Sequence, residues 1–396
     1  MTELEQRKTW AEIDLGALRS NYLLLRDTFC APNGDTRLIA VVKAEAYGHG
    51  APECVRTLLT EGCDFFAVSC IEEAVAVRKA CDKEGADASI LILGYTDPEN
   101  ASILAEYDLI QTSLNPEYAK ALGAAAQKHS CTVRVHIATD TGMNRIGVRA
   151  QSESELSLAA DKIEEMTKTN GLSVEGMFTH FYSSDGEDEK ITDTQAERFV
   201  WLKAILEQRG IRLFSHASNS AGSVRFPEYA LDGVRLGIML YGVTPSKYVP
   251  SLPLKPVMSL KTVIAHIHTV NKGEKIGYGG DYCAERTLRV ATLPVGYADG
   301  LLRRYTGASV TVGNSKACIV GRICMDQCMI DVSSVHNINI GDEVTVFGDG
   351  QISADVVAEW MNTINYEVLC LVSKRIPRIY KEKGREVFTV NYLDKI

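Results

Sequence analysis

The sequence predicts an α/β chain, an N-terminal (β/α)8 TIM-type barrel followed by a C-terminal mostly-β domain, and three observations carry that reading. Short β-branched runs alternate with longer amphipathic stretches through about residue 245. A Pro-rich stretch at 245–256 then breaks the rhythm, and residues 257–347 change to period-two alternation with short turns. The strand-like runs before the break number eight, which favours a closed barrel over an open doubly wound sheet. A Rossmann reading also lacks its fingerprint, because no GxGxxG follows the first barrel strand.

Taken in order, residues 9–13 alternate like a strand, precede a helix capped by Asp14, and are expected to pair with the C-terminal domain. The domains are accordingly placed at 14–246 for the barrel and 247–396, with strand 8–13, for the second unit. Barrel strands are expected at 38–43, 64–69, 89–94, 109–113, 133–138, 173–180, 212–217 and 234–240. Apolar residues at three- and four-residue spacing predict helices at 51–61, 71–84, 98–107, 116–129, 152–168 and 192–209. The next gap, 221–230, is short and weakly helical. Beyond the linker, residues 262–268, 310–320 and 342–347 alternate, Gly313-Asn314 marks a hairpin, and Ser353 caps a helix ending near Asn362.

Composition narrows the function classes. At 396 residues the chain fits two domains, and 45% hydrophobic with 23% charged residues is the balance of a folded globular protein. A net charge of −9 argues against a nucleic-acid partner. No uncharged stretch approaches the roughly 18 apolar residues of a membrane helix, and residues 1–10 carry charges of both signs, so a cytoplasmic protein is expected. The eleven cysteines form no CxxC pair and most sit in apolar runs, as Cys63, Cys70 and Cys318 do, which predicts buried free thiols. Cys324 and Cys328 read as strand residues too far apart to chelate, and no metal is assigned.

The most informative segment is the apolar run ending in Lys43, followed at once by Ala44-Glu45-Ala46-Tyr47-Gly48-His49-Gly50. A lysine that closes a strand ordinarily reaches into water. An amine, a phenol and an imidazole beside two glycines, where a parallel strand leaves the interior, instead suggest a site, with Lys43 as a desolvated amine nucleophile. A barrel would bring further polar groups to the same mouth: Asp140 to Arg145, Thr179-His180, His216 to Ser220, and Arg235 to Ile238. Singly, His180 fits a core imidazole, Arg235 half of a buried ion pair, and Asn219-Ser220 a helix cap. Together they suit a phosphorylated pyridine.

The segments VVKAEAYGHG, TDTGMNRIG, EGMFTHF, HASNSAG, VRLGIMLYG, GYGGDY, LPVGYADG, VGRICMDQ and INYEV closely resemble bacterial alanine racemases, a fold-type III family that uses pyridoxal 5'-phosphate. The resemblance runs in order from about residue 8 to 380. It implies that Lys43 holds the cofactor covalently and is the base on one face of the substrate. Tyr47, Ser220, the amides of Gly237 and Ile238, and Tyr366 would hold the phosphate. His180 would flank the ring, Asn219 line the pocket, and Arg145 contact the phenolic oxygen and the substrate.

The same resemblance sets Arg235 against the pyridine nitrogen, where a guanidinium keeps the ring unprotonated and a weak electron sink, with His216 as its buttress. It makes Tyr278 the base on the opposite face and implies a homodimer in which Tyr278 and Met325 of one chain complete the pocket of the other. Tyr297, Arg303, Arg322 and Asp326, with Asp185 from the barrel, match the family's narrow entrance and inner gate. Two positions depart from the family pattern: Ala138 stands where many relatives carry a carbamylated lysine, and Glu45 where Asn or Asp is common. A bound anion or a carboxylate such as Glu45 is expected to take the carbamate's place beside Arg145.

The activity implied is racemisation of alanine, with D-alanine feeding cell-wall synthesis. Racemisation of another small amino acid such as serine is the alternative, although the serine branch tends to replace the phosphate-side tyrosine, retained here as Tyr366, by asparagine. Non-catalytic pyridoxal-phosphate-binding proteins resemble the barrel alone, and a decarboxylase would place an acid where Arg235 stands.

Overall fold

The computed structural model describes residues 7–30 and 36–395. The chain opens with β1 (Thr9–Asp14), then a helix, Leu15–Phe29, whose first turn is capped by Asp14 accepting from the Ala17 amide. Next come β2 (Arg37–Val41), β3 (Phe65–Val68), β4 (Ser89–Ile92), β5 (Ile110–Ser113), β6 (Val133–Asp140), the two-residue β7 (Val148–Arg149), β8 (Leu172–Phe178), β9 (Phe214–His216) and β10 (Gly233–Leu236). Without β7, which hangs on β6, these strands from β2 to β10 pair in parallel, and the β2–β10 and β5–β6 contacts close the barrel.

The barrel strands are short and apolar because both faces are covered. Leu38, Ile39, Ala40 and Val41 of β2 are all buried, as are all four residues of β3. Helices such as Ile71–Lys83, Pro116–Lys128 and Glu189–Gln208 cover the outside, close to the predicted positions. The seventh crossover is cut to a six-residue helix, Ser220–Arg225, and a 3-10 turn, matching its weak helical pattern.

After an irregular stretch, a ten-stranded sheet forms. From one edge it runs through His266–Val270, Leu288–Leu293, Cys328–Asp331, Ser315–Val320, Ser309–Val312, Glu343–Phe347, Met258–Val263, β1, Arg378–Glu382 and Arg385–Val390. β1 pairs antiparallel with Met258–Val263 and parallel with Arg378–Glu382, so this first strand is woven into the second sheet. Period-two burial along Met258–Val263 marks one face on the core and one toward solvent. The hairpin turn falls at Gly313-Asn314, and Ser353 caps Ala354–Met361.

Two expectations fail. The 321–327 segment is a turn rather than a strand: the Cys324 amide donates back to the Gln327 carbonyl, and only Cys328 begins a strand. All eleven cysteines are free, but only Cys54, Cys63, Cys81 and Cys328 are buried. Cys318 sits on the outward side of an alternating strand and Cys70 at a helix N-cap, so an apolar neighbourhood in sequence did not mean burial. Among the described residues no group of three or more His, Cys, Asp or Glu is placed to hold a metal, and no helix is long and apolar enough to cross a membrane.

Candidate active site

A cavity of about 670 Å³ opens at the C-terminal ends of the barrel strands. Lys43, Tyr47, Arg145, His180, Asn219, Ser220, Arg235, Gly237, Ile238 and Tyr366 all line it. They come from six separate stretches of chain: five meet because parallel strands end on one rim, and the sixth, with Tyr366, is the helix Asn365–Cys370 of the second domain.

Lys43 leaves β2 into a turn that the sequence did not reveal. Ala44, Glu45, Ala46 and Tyr47 have φ of 51, 55, 53 and 54° with ψ between 42 and 50°, a full left-handed helical turn without an interior glycine. Such a conformation costs on the order of 1 kcal/mol per residue and persists only where its surroundings hold it. The C-terminal domain provides that hold. The buried Arg378 guanidinium donates through Nε and Nη2 to the Gly48 carbonyl at 3.1 and 3.0 Å, and the Tyr380 hydroxyl donates to the His49 carbonyl at 2.9 Å. Gly48 and Gly50, with φ of 84 and 94°, leave the turn with no room for a side chain.

The amine is desolvated. Burial pushes the Lys43 pKa down, with Arg145 adding repulsion, against Cys370 and Glu73, which pull the other way. Tyr47 is buried beside Tyr241 and Tyr366, and burial raises its pKa, so its hydroxyl remains a donor.

Arg235 is 3% exposed and sits in a fixed set of acceptors. Nη1 donates to His216 Nδ1 at 2.7 Å and to the His216 carbonyl at 3.0 Å. Nη2 donates to the carbonyls of Thr179 and Ala217, both at 2.8 Å, and reaches His180 Nδ1 at 3.2 Å. Among the described residues Nε is therefore the one guanidinium donor without a protein acceptor, on a residue that lines the cavity. Burial first, then Arg145, pushes the Arg235 pKa down to about 9, which still leaves it cationic at neutral pH. His180 and His216 fall well below the usual imidazole range, by burial and then by Arg235, so both stay neutral.

The residues expected to hold a phosphate form a small cradle. Ser220 Oγ accepts from the Gly237 amide at 3.0 Å, and a Cβ at Gly237 would collide with the Tyr47 hydroxyl. Asn219 lines the cavity while capping the helix it precedes, its Oδ1 accepting from the Gly222 amide at 2.9 Å. The pocket and cap readings of that residue hold together.

The remaining predicted residues lie elsewhere on this chain. Tyr278, 68% exposed, and Met325, 52% exposed, line a separate recess of about 700 Å³ together with Asp326 and His268. Arg322 pairs with Asp281, and Asp326 with Arg375 at 2.5 Å. Tyr297 and Arg303 are exposed, and Asp185 sits near Tyr366, raising that phenol's pKa after burial does. Glu45 is not beside Arg145: its carboxylate pairs with Lys374 at 2.7 Å and accepts from the Ala51 amide, because the left-handed turn points it toward the second domain. Arg145 makes no ion pair or hydrogen bond with the described residues, and Ala138 lies in the same cavity wall.

Glu73, Cys370 and Arg378 belong to the site region without having been singled out. The buried arginine in Arg375-Ile376-Pro377-Arg378 was the available signal, since a cation in an alternating strand needs acceptors.

Family models for the alanine racemase N-terminal domain and C-terminal domain match residues 13–245 and 257–380. The chain belongs to the alanine racemase family. It is 42% identical to an alanine racemase of Clostridium tetani over 98% of this chain and 99% of the relative. Its structure is similar to that of an alanine racemase from Clostridium difficile 630, with TM-score 0.91 and 36% identity over 98% of this chain and all of that one. A third relative, the alanine racemase of Bacillus anthracis with bound L-Ala-P, matches with TM-score 0.89 and 36% identity over 99% of this chain and 100% of that one. The two family domains correspond to the barrel and the ten-stranded sheet, and the cavity draws most of its wall from the first and Ile364, Tyr366, Glu367 and Cys370 from the second.

Proposed function

We propose that this chain interconverts L- and D-alanine using pyridoxal 5'-phosphate, as a homodimer with shared active sites, and that the D-alanine supplies cell-wall synthesis. The observation that carries the proposal is the pairing of a desolvated amine with a buried guanidinium whose Nε alone lacks an acceptor among the described residues, on the walls of one cavity. The residues fit the cofactor: an open donor for an unprotonated ring nitrogen, a glycine where a side chain would meet Tyr47, and hydroxyls of Tyr47, Ser220 and Tyr366 for a phosphate. When bound, pyridoxal phosphate supplies a carbonyl for the amino group and a ring that withdraws charge from Cα.

The chain's own groups then move the proton. Lys43 is the base on one face of Cα, its lowered pKa raising the fraction of free amine at neutral pH. Tyr278 serves the other face. Because it lies in a different recess from Lys43, the pair meets only if a second copy presents Tyr278 and Met325 to this cavity. Tyr297, Arg303, Arg322, Asp326 and Asp185 then frame the entrance and favour a small substrate. Arg235 keeps its own proton, so charge at Cα is poorly delocalised and reprotonation is prompt. With Glu45 engaged by Lys374, a small solvent anion is the remaining partner for Arg145.

Deuterium exchange at Cα, measured in D2O with added pyridoxal phosphate, tests the assignment. Exchange of both alanine enantiomers well ahead of serine is expected. Serine exchanging faster would transfer the assignment to a serine racemase, and no exchange of either would remove the activity.

A further inference from the structure

The left-handed turn after Lys43 is held at its far end by Arg378 and Tyr380, and its near end is held by a residue of the barrel itself. Glu73 is the third residue of the helix Ile71–Lys83. A glutamate there ordinarily folds back on the cap residue's amide. This one does not. Its Oε1 accepts from the Ala44 amide at 2.7 Å, and its Oε2 accepts from the Ser69 amide at 2.8 Å. Ala44 is the first left-handed residue, directly after Lys43, and Ser69 directly follows β3, which pairs with β2. One carboxylate therefore ties together the exits of two adjacent strands at the point where the amine leaves the backbone.

We infer that Glu73 is a positioning residue for Lys43: by taking the Ala44 and Ser69 amide protons on its two oxygens, it fixes the start of the left-handed turn and so the direction in which the amine enters the cavity. The inference rests on Lys43 being the residue that bonds the pyridoxal carbonyl. Its charge is part of the device, since two amide donors converge on one anionic acceptor.

Glu73→Gln keeps the shape but offers one acceptor oxygen and turns an NH2 group toward the other amide. Apoprotein is mixed with pyridoxal phosphate, and covalent attachment is followed by its visible absorbance. Separately, the affinity for pyridoxamine 5'-phosphate is measured, because that compound has the ring and phosphate but no carbonyl. Attachment in Glu73→Gln should slow by at least about ten-fold, the scale of one lost charge-assisted hydrogen bond, with pyridoxamine phosphate affinity unchanged and faster amide exchange at residues 44–47. Glu73→Asp, which keeps the charge one methylene back, should recover part of the rate.

Unchanged attachment and exchange in Glu73→Gln would overturn the inference. So would an equal loss of pyridoxamine phosphate affinity, which would make Glu73 merely structural. Attachment that survives Lys43→Ala would instead overturn the underlying assignment of Lys43, and the inference with it.

Discussion

Arg235 donates to Nδ1 of His216 at 2.7 Å, and that one contact fixes the proton on a second histidine. A guanidinium has no acceptor, so His216 Nδ1 carries the lone pair and its proton sits on Nε2. Nε2 lies 3.0 Å from His136 Nδ1, which must accept, leaving the His136 proton on its own Nε2. Two neutral imidazoles thus stand behind the one arginine, and Phe178 stacks on His216 from the side.

Arg235→Glu replaces a fixed cation by a group that can share a proton with the ring nitrogen. The expected outcome is more transamination per racemisation event, read as pyruvate formed from alanine. Unchanged partitioning would remove the electronic role of Arg235.

Tyr278→Phe should lower the rate of proton removal by about 10²–10⁴-fold, the usual range for a lost acid/base group, and more severely for L-alanine than for D-alanine. Mixing and refolding it with Lys43→Ala should restore about a quarter of the sites in an equal mixture, because each mixed pair has one intact cavity and one doubly damaged cavity. A mixture as inactive as its parts would mean that Tyr278 acts in cis or not at all.

Acid should weaken the fold through buried imidazoles. Burial, then Arg134, Arg37 and Arg235, push the His136 pKa down to about 3, and burial pushes His49 to about 3 as well. Between about pH 6.5, where the unfolded chain takes up these protons, and about pH 3, where the folded chain does, the unfolded state binds more protons. Stability from these groups is complete above that window and falls as pH drops through it, by about 1.4 kcal/mol per pH unit for each proton. Urea unfolding at pH 7, 6 and 5 should show the slope, and His136→Asn should flatten it.

Asp299 joins the N-terminal strand to the second domain. Its carboxylate is fully buried, pairs with Arg7, accepts from Arg375 Nε at 2.7 Å and takes the Gly296 amide at 2.9 Å. Burial alone would raise its pKa, but the Arg7 and Arg375 hydrogen bonds outweigh that and hold it below the usual carboxylate range. Its contribution is therefore present at neutral pH and lost only in strong acid. Asp299→Asn should lower stability by about 3 kcal/mol, as expected for a broken buried pair, measured by urea unfolding at pH 7.

The barrel strands and their helices were legible in the sequence because apolar periodicity reports burial directly, and a strand buried on both faces leaves an unbroken run such as Leu38 to Val42. The residues at the strand ends were legible too, since a barrel places every such end on one rim whatever the separation along the chain. The left-handed turn was not legible, because Ala44 to Tyr47 contains no glycine to announce positive φ. Arg378, Tyr380 and Glu73 bond it from outside, and none of the three is adjacent to it in sequence.

Nor could spacing say where Glu45 would point, or that the thiol of Cys318 faces outward while Cys328 is enclosed. Hydrophobic pattern is a property of a single segment, and the sequence by itself determined what followed from it: the two domains, the strands and the set of polar residues at the cavity. The hold on Lys43 and the tautomers behind Arg235 were decided by tertiary structure alone, because both depend on acceptors and donors arriving from other parts of the chain.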